Sequence, residues 1–517
     1  MEWLINRRRM MCHESVPPVY LHFEDYEVWK AVCTRYGDYN EIVVTDNGDN
    51  TVDITTTFKS VIMLDVYQQT VTVKKSVVVD TQTNVDNSQG TYTAGTTKEP
   101  VGITQKQCDA VLIMGNYRSS DVVTNLFKNN TAIISANDLI HFRNLTEIYG
   151  NWGGGRSGGF NGCTNLETAE IPESLRVIGQ AAFYNCPKLT EFDFKNVTTV
   201  NRAAFQQSKI REVVFNTGFT TVDGGGYGAF ADLSTVLHFD FPSTTTTIND
   251  TKIFTAGRPV IVCRGATPPT LAAQSSVNQC IDIYVPQAYL ATYQSAENWS
   301  ALSAYMHPLE GTWYENHTKK PRGDYDKTFY DAEIEYLEST GTQYIDIRAR
   351  LGTTHKMIMK YSGFTDEYFA CGARISHQSN AFVFANGGSN GTTYDKYYFN
   401  RRNRYNSSTT CPNDELVHEV EMTTQIIIDG ITVCTLDAGS GNMTTPLFYL
   451  FAKNENGTTV YGKMRIYSFK IYDGDLIYAD LIPVRIGQVG YMFDKVSGRL
   501  LGNSGTGDFI LGNDKTE

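Results

Sequence analysis

Charge is scarce in this chain, and its balance has the wrong sign for a nucleic-acid binder. Only 19% of residues are charged, and the formal net charge is −12. A phosphate backbone calls for a concentrated basic surface, so no nucleic-acid partner is expected. Long apolar runs are also missing. None reaches the ~18 residues of a membrane-spanning helix, so no membrane insertion is expected. The ten cysteines show no Cys-x-x-Cys or Cys/His spacing of a metal site. Neither a Gly-x-Ser-x-Gly elbow nor a phosphate-cradling Gly-rich loop occurs. The expectation is a protein with no cofactor, no metal and no catalysis. A secretion signal is lacking too: Arg7, Arg8 and Arg9 follow the short apolar Trp3-Leu4-Ile5 instead of preceding an apolar core. An extracellular location would then be reached by another route, such as lysis as part of a particle.

What fills the chain instead is Gly, Thr, Asn and Tyr, with 43 glycines and 31 tyrosines. That balance suits an extracellular or virion β-rich protein. At 517 residues the length fits three or four domains.

The strongest internal pattern is a repeat. Phe160-Asn161-Gly162-Cys163 precedes Leu166, Phe183-Tyr184-Asn185-Cys186 precedes Leu189, and Phe205-Gln206-Gln207-Ser208 precedes Ile210. Phe230 and a degenerate Phe254 continue the series at steps of roughly 22 to 25 residues. Between them lie short alternating apolar stretches such as Phe192…Phe194…Val197…Val200 and Val213…Phe215…Val222. One such unit cannot bury its apolar side alone, whereas stacked units can. Cys163 and Cys186 hold equivalent positions, and buried thiols are the simplest reading. The repeat form resembles the BspA-like leucine-rich repeats, which implies a solenoid.

Around it the chain reads as follows. Residues 1–40 form an N-terminal arm and a first cap helix, with Asp25 as its cap and Val28, Ala31 and Val32 on one face. Residues 41–102 are an inserted β-rich segment, with an Asn47-Gly48 hairpin turn. The Asp46…Asp49…Asp53 cluster there lacks the calcium-loop pattern and reads as a plain turn. Residues 103–144 supply a helical cap, with helices starting near Thr104 and Ser135. The solenoid occupies 145–310. It closes on a strand at Ile283–Val285 and a helix bearing Tyr289, Tyr293, Trp299, Leu302, Tyr305 and Met306, a plug over the last repeat. Residues 311–331 read as a polar linker. From 332 to 517 many short alternating strands with frequent turn signals spell a β-sandwich of jelly-roll type. The segments Glu333–Ile347 and Gly462–Arg485 resemble the opening and closing strands of concanavalin A-like (laminin-G-like) lectin and glucanase domains. The fold class is therefore multidomain and β-rich: a small helical cap with an inserted β domain, a leucine-rich-repeat solenoid, and a C-terminal β-sandwich.

Two stretches carry candidate ligand-binding residues. Tyr394, Tyr397, Tyr398, Arg401, Arg402 and Tyr405 interleave aromatic faces with fixed hydrogen-bond donors, as sugar recognition requires. Trp152 and Arg156 lie in a Gly-rich loop just before the first good repeat, and repeat-edge insertions are often contact surfaces. Glu333, Glu335 and Glu338 nearly spell the carboxylate strand of a glycosidase. They stand on the opening strand instead of the mid-domain strand that the resemblance requires. The tandem of modules behind the N-terminal Arg cluster resembles virion-surface or tail proteins of phages of gut Bacteroidetes, including crAss-like phages. That resemblance implies a receptor-binding or fibre-like protein at the virion surface. Other virion proteins would be partners of its N-terminal part. Host-surface glycan or protein would be its target, and a homo-oligomer, a trimer, its state. A purely structural or decoration virion protein and a bacterial cell-surface adhesin are the alternatives.

Overall fold

A computed structural model describes residues 23–25, 27, 28, 31, 42–49, 51–59, 66–74, 127–148, 150, 151, 157–233, 235–255, 257–274, 281–316, 330–352, 354–364, 367–376, 379–386, 397–401, 412, 414–423, 425–435 and 445–516. The chain divides into two compact units. The first comprises Met1–Leu233, Thr244–Ile253 and Pro269–Ala273, and the second comprises Ser234–Ser243, Phe254–Pro268 and Gln274–Glu517.

In the first unit, six short strands form a parallel sheet in the order Thr270–Leu271, Thr247–Asp250, Thr221–Gly225, Thr199–Asn201, Val177–Ile178, Glu147–Ile148. The register brings Ile148, Ile178, Val200, Val222, Ile248 and Leu271 into one row. All six are buried, so each turn covers the apolar side of the next, as the repeat demands. A second row runs through the corners. Phe127, Phe160, Phe183, Phe205 and Phe230 stack ring on ring at 4.7, 5.5, 5.3 and 5.5 Å, with interplanar angles of 11°, 2°, 5° and 2°. The corner backbone is tight. Gly162, Asn185, Gln207 and Asp232, each two residues after a stacked Phe, have φ of 77°, 54°, 65° and 61°. For residues other than glycine that left-handed turn costs about 1–2 kcal/mol. Hydrogen bonds from turn to turn offset it: Phe183 N donates to Ala204 O at 2.8 Å and Asn185 N to Gln206 O at 2.9 Å.

The thiols of Cys163 and Cys186 are buried and free, at 3.0 Å from Phe127 O and 3.2 Å from Phe160 O. Phe127 thus shows a repeat corner one turn earlier than the sequence pattern suggests. The helix expected from Ser135 is a short 3-10 turn, Asn137–His141. Ser135 itself bridges to Thr168 in parallel fashion, so the segment already behaves as a repeat turn and has no room for a longer helix. Asp25 caps its helical turn as expected, accepting from Glu27 N at 2.9 Å and Val28 N at 3.2 Å. Its other oxygen accepts from Ile134 N and Ser135 N, both at 3.0 Å. The N-terminal segment is thereby pinned to the first turns. Ile42–Asp46, Thr51–Lys59 and Val66–Lys74 form an antiparallel three-stranded sheet, with Gly48 at φ 78° in its turn. The helix expected near Thr104 lies outside the described residues.

In the second unit, His238–Phe241, Val260–Cys263, Asp282–Val285 and Met306–Pro308 run parallel, each paired to the next. Helix Leu290–Ser295 follows the third strand. Tyr293, Trp299, Leu302 and Met306 are buried, with Trp299 edge-on to Phe254 at 6.1 Å. Tyr289 is exposed and takes no part in that plug. Trp313 and Tyr314, within the stretch read as a polar linker, are buried against Val260, Val262 and Leu309. Two apolar rings beside an apolar strand outweigh the polar composition around them.

The rest of the second unit is two-layered, and its strand pairs are antiparallel except that Ala370–Ser376 and Ala452–Glu455 run parallel. The larger sheet runs Ile431–Thr435, Gln425–Ile428, His418–Met422, His355–Ser362, Lys463–Asp473, Leu476–Ile486, Val489–Asp494, Leu500–Leu501, with further short strands paired to it. The smaller runs Tyr397–Arg401, Ser379–Asn386, Ala370–Ser376, Ala452–Glu455, Thr458–Tyr461. Met357, Met359, Ile466 and Leu481 from one and Cys371, Phe382 and Phe384 from the other meet in a single buried core.

Candidate functional site

The side of the six-stranded sheet opposite its apolar row is a hydrogen-bonding surface of unusual regularity. Thr199, Thr221, Thr247 and Thr270 stand in register. So do Asn201, Asp223 and Asn249, and Asn249 Nδ2 donates to Asp223 Oδ1 at 2.7 Å. Neighbouring strands lie about 4.8 Å apart, so the rows repeat at that spacing. A third row, Thr198, Thr220 and Thr246, turns its hydroxyls back to the carbonyls of Arg176, Thr198 and Thr220 at 3.1, 3.1 and 3.3 Å. Those bonds fix the edge of the surface. At one end the Arg202 guanidinium lies 3.8 Å from the centre of the Tyr227 ring, which is 52% exposed.

Beneath that end, Asp250 is fully buried and accepts from Ala229 N at 2.6 Å and Lys252 N at 2.7 Å. Burial pushes its carboxyl up to about 6, against the pull of the surrounding backbone N–H groups. Gly224 allows the approach, since a Cβ there would sit 2.4 Å from the carboxylate.

In the second unit the charged groups mostly serve as ties. Arg258 and Asp494 are both fully buried and pair at 2.8 Å. Arg258 also donates to the carbonyls of Ile347 at 2.7 Å and Tyr478 at 3.2 Å. Asp282 is paired with Arg499 at 2.8 Å and lies 3.3 Å from His307. Burial opposes ionisation of Asp494 and Asp282, but their cationic partners hold both carboxyls below the ordinary range. His418 is clamped by Asp429 at 2.6 Å and Asp414 at 2.9 Å. Burial works against its charge, and the two carboxylates overcome it, leaving the imidazole pKa raised. Among the described residues, no group of three or more His, Cys, Asp or Glu is placed to hold a metal.

The residues expected from the sequence are only partly within view. Tyr397, Tyr398 and Arg401 lie on strand Tyr397–Arg401, paired with Asn386, Ala385 and Phe382. Tyr394, Arg402, Tyr405, Trp152 and Arg156 lie outside the described residues. Gly150–Asn151 and Ser157–Gly158 pair antiparallel. Of the three glutamates, Glu338 pairs with Arg465 at 2.6 Å, Glu335 accepts from Asn513 Nδ2 at 3.1 Å, and Glu333 accepts from Tyr330 Oη at 3.1 Å. The threonine and asparagine rows were missed in the sequence. Their signal is the recurring Thr198-Thr199-Val200-Asn201, Thr220-Thr221-Val222-Asp223 and Thr246-Thr247-Ile248-Asn249.

Comparison with known proteins bears on part of the repeat array. The pattern described as "BspA type Leucine rich repeat region" matches residues 156–256 in six copies. That part of the chain is a BspA-type leucine-rich repeat region. A solved leucine-rich repeat protein from Bacteroides ovatus ATCC 8483 aligns at 18% identity and a TM-score of 0.17, over 30% of this chain and 43% of its own. The chain thus spans less than half the length of that protein. No curated protein matches.

Proposed function

We propose that the chain is a non-catalytic recognition protein of a virion surface, fibre-like in role. It would dock by its N-terminal part and bind host-surface glycan or protein through the repeat sheet and the C-terminal body. The observation that carries this reading is the repeat array itself, with in-register rows of Thr and Asn/Asp side chains on one side. A flat array of fixed donors and acceptors suits surface recognition. The two-layered body with one shared core supports a concanavalin A-like sandwich, and hence a second binding module. The virion assignment rests on the resemblance of the module tandem and on composition, and the homo-oligomer on the same resemblance.

Immunoelectron microscopy with antibodies to the full chain tests the assignment. Labelling of intact phage particles at the tail or capsid surface is expected. Labelling of bacterial cell surfaces with bare particles would make the chain a cellular adhesin instead. Labelling of neither would contradict a surface role.

A further inference from the structure

At one edge of the C-terminal body three tyrosine rings meet outside the core. Strand Ile345–Asp346 pairs with Tyr449–Leu450, setting Ile345 opposite Leu450 and Asp346 opposite Tyr449. Ile345 and Leu450 are fully buried, so they already close the core at this point. Tyr344, just before that strand, packs on Tyr449 at 4.6 Å and 39°, and on Tyr461 at 5.9 Å and 66°. Tyr461 ends Thr458–Tyr461, the edge strand of the smaller sheet, and is 39% exposed. Tyr344 and Tyr449 are half-buried.

Polar groups line the same edge. The Thr459 and Tyr449 side chains lie beside the Tyr344 phenol. Asp346 accepts from Arg348 N at 2.8 Å and lies 3.7 Å from the Arg348 guanidinium. The platform is held rigidly: Tyr344 N donates to Asn503 Oδ1 at 3.2 Å, and its carbonyl accepts from Ser504 N at 2.8 Å.

We infer that Tyr344, Tyr449 and Tyr461, with Thr459 beside them, form a binding site for a neutral oligosaccharide. A sugar ring presents an apolar C–H face and a rim of hydroxyls. This edge presents aromatic rings with hydroxyl groups at their margin, which is the matching arrangement, while Asp346 is tied to Arg348 behind them. An apolar peptide anchor would need a desolvated pocket instead, and here hydroxyls stand at the rings' margin. The inference rests on the recognition reading above and names a ligand class and a place for it. It uses none of the tyrosines at 394–405.

The test is calorimetric titration of the full chain with neutral hexasaccharides of β-1,3-glucose, β-1,4-glucose, β-1,4-xylose and α-1,6-mannose. At least one is expected to bind with a submillimolar Kd. Tyr461→Ala should weaken it at least tenfold, and Tyr461→Phe, which keeps the ring, less than threefold. Tyr461 is an exposed edge residue, so both variants should keep the parental circular dichroism spectrum and urea midpoint. Absence of binding by all four sugars, or equal binding by Tyr461→Ala, would overturn the site. The same variants assayed on intact cells separate the two ideas. Cell binding that survives Tyr461→Ala removes this site and leaves the recognition reading. Sugar binding without cell binding removes the recognition reading and leaves the site.

Discussion

Asp250 and His238 are both buried ionisable groups, and burial drives them in opposite senses. Asp250 is raised from 3.8 to about 6. Between those values the folded chain keeps a proton that the unfolded chain has released. This group therefore favours folding at acid pH, and the advantage disappears as pH rises through 6. The shift converts to roughly 3 kcal/mol. Asp250→Asn keeps an acceptor without the titration. Its stability relative to the parent should rise by about 2–3 kcal/mol between pH 4 and pH 7 in urea unfolding; an unchanged difference would contradict the account.

His238 is lowered from 6.5 to about 3, by burial first and by Arg264 second. Asp240 lies 3.9 Å away but is held by Arg264 at 2.7 and 2.8 Å, so the imidazole stays neutral. Its contribution is complete above pH 6.5 and is lost as pH falls toward 3, because only the unfolded chain takes up the proton. His238→Leu should lose about 2 kcal/mol less than the parent on passing from pH 7 to pH 5, read from urea midpoints. Neither residue stands out in the sequence. A lone Asp in a Thr-rich strand and a lone His in an apolar one acquire their character only from what folds over them.

At the scale of elements, the repeat was the most legible part of the chain. The recurring Phe, the two cysteines at equivalent positions and the alternating apolar runs each name one buried row, and stacked turns bury all of them. Phe127 escaped notice because 33 residues separate it from Phe160, and the Gly-rich loop in that interval breaks the period. The short turn at Asn137–His141 was misread for a related reason. A cap residue followed by apolar residues suits a helix and a repeat corner equally, and only the bridge from Ser135 to Thr168 decides between them. The ring stack is the element to perturb. Phe205 sits between Phe183 and Phe230 and is fully buried. Phe205→Ala should cost about 3–5 kcal/mol by urea unfolding, and Phe205→Leu distinctly less. Equal small losses for both would mean that the ring row does not hold the repeats together.

At the scale of the whole molecule, the antiparallel strands of the C-terminal body followed the sequence closely, from His355–Ser362 to Lys463–Asp473. Its dependence on residues far upstream did not. Arg258 and Asp282 precede residue 311, yet they pair with Asp494 and Arg499 inside the second unit. A pair 236 residues apart, such as Arg258 and Asp494, leaves no local pattern to read. Cutting the chain at 332 would therefore strand Asp494 as a buried, unpaired carboxylate. Arg258→Met should cost about 3–5 kcal/mol, and adding Asp494→Leu should recover part of that loss. A double variant no better than the sum of the singles would show that the pair is not coupled. The candidate binding residues were the least legible, because exposed aromatic and polar residues serve strands and ligands alike.

The proposed recognition of a bacterial surface is read out by binding of the fluorescently labelled full chain to intact cells of a panel of gut Bacteroidetes. Saturable binding to a subset of strains, competed by the unlabelled chain, is expected. Absence of saturable binding to every strain would overturn the proposal.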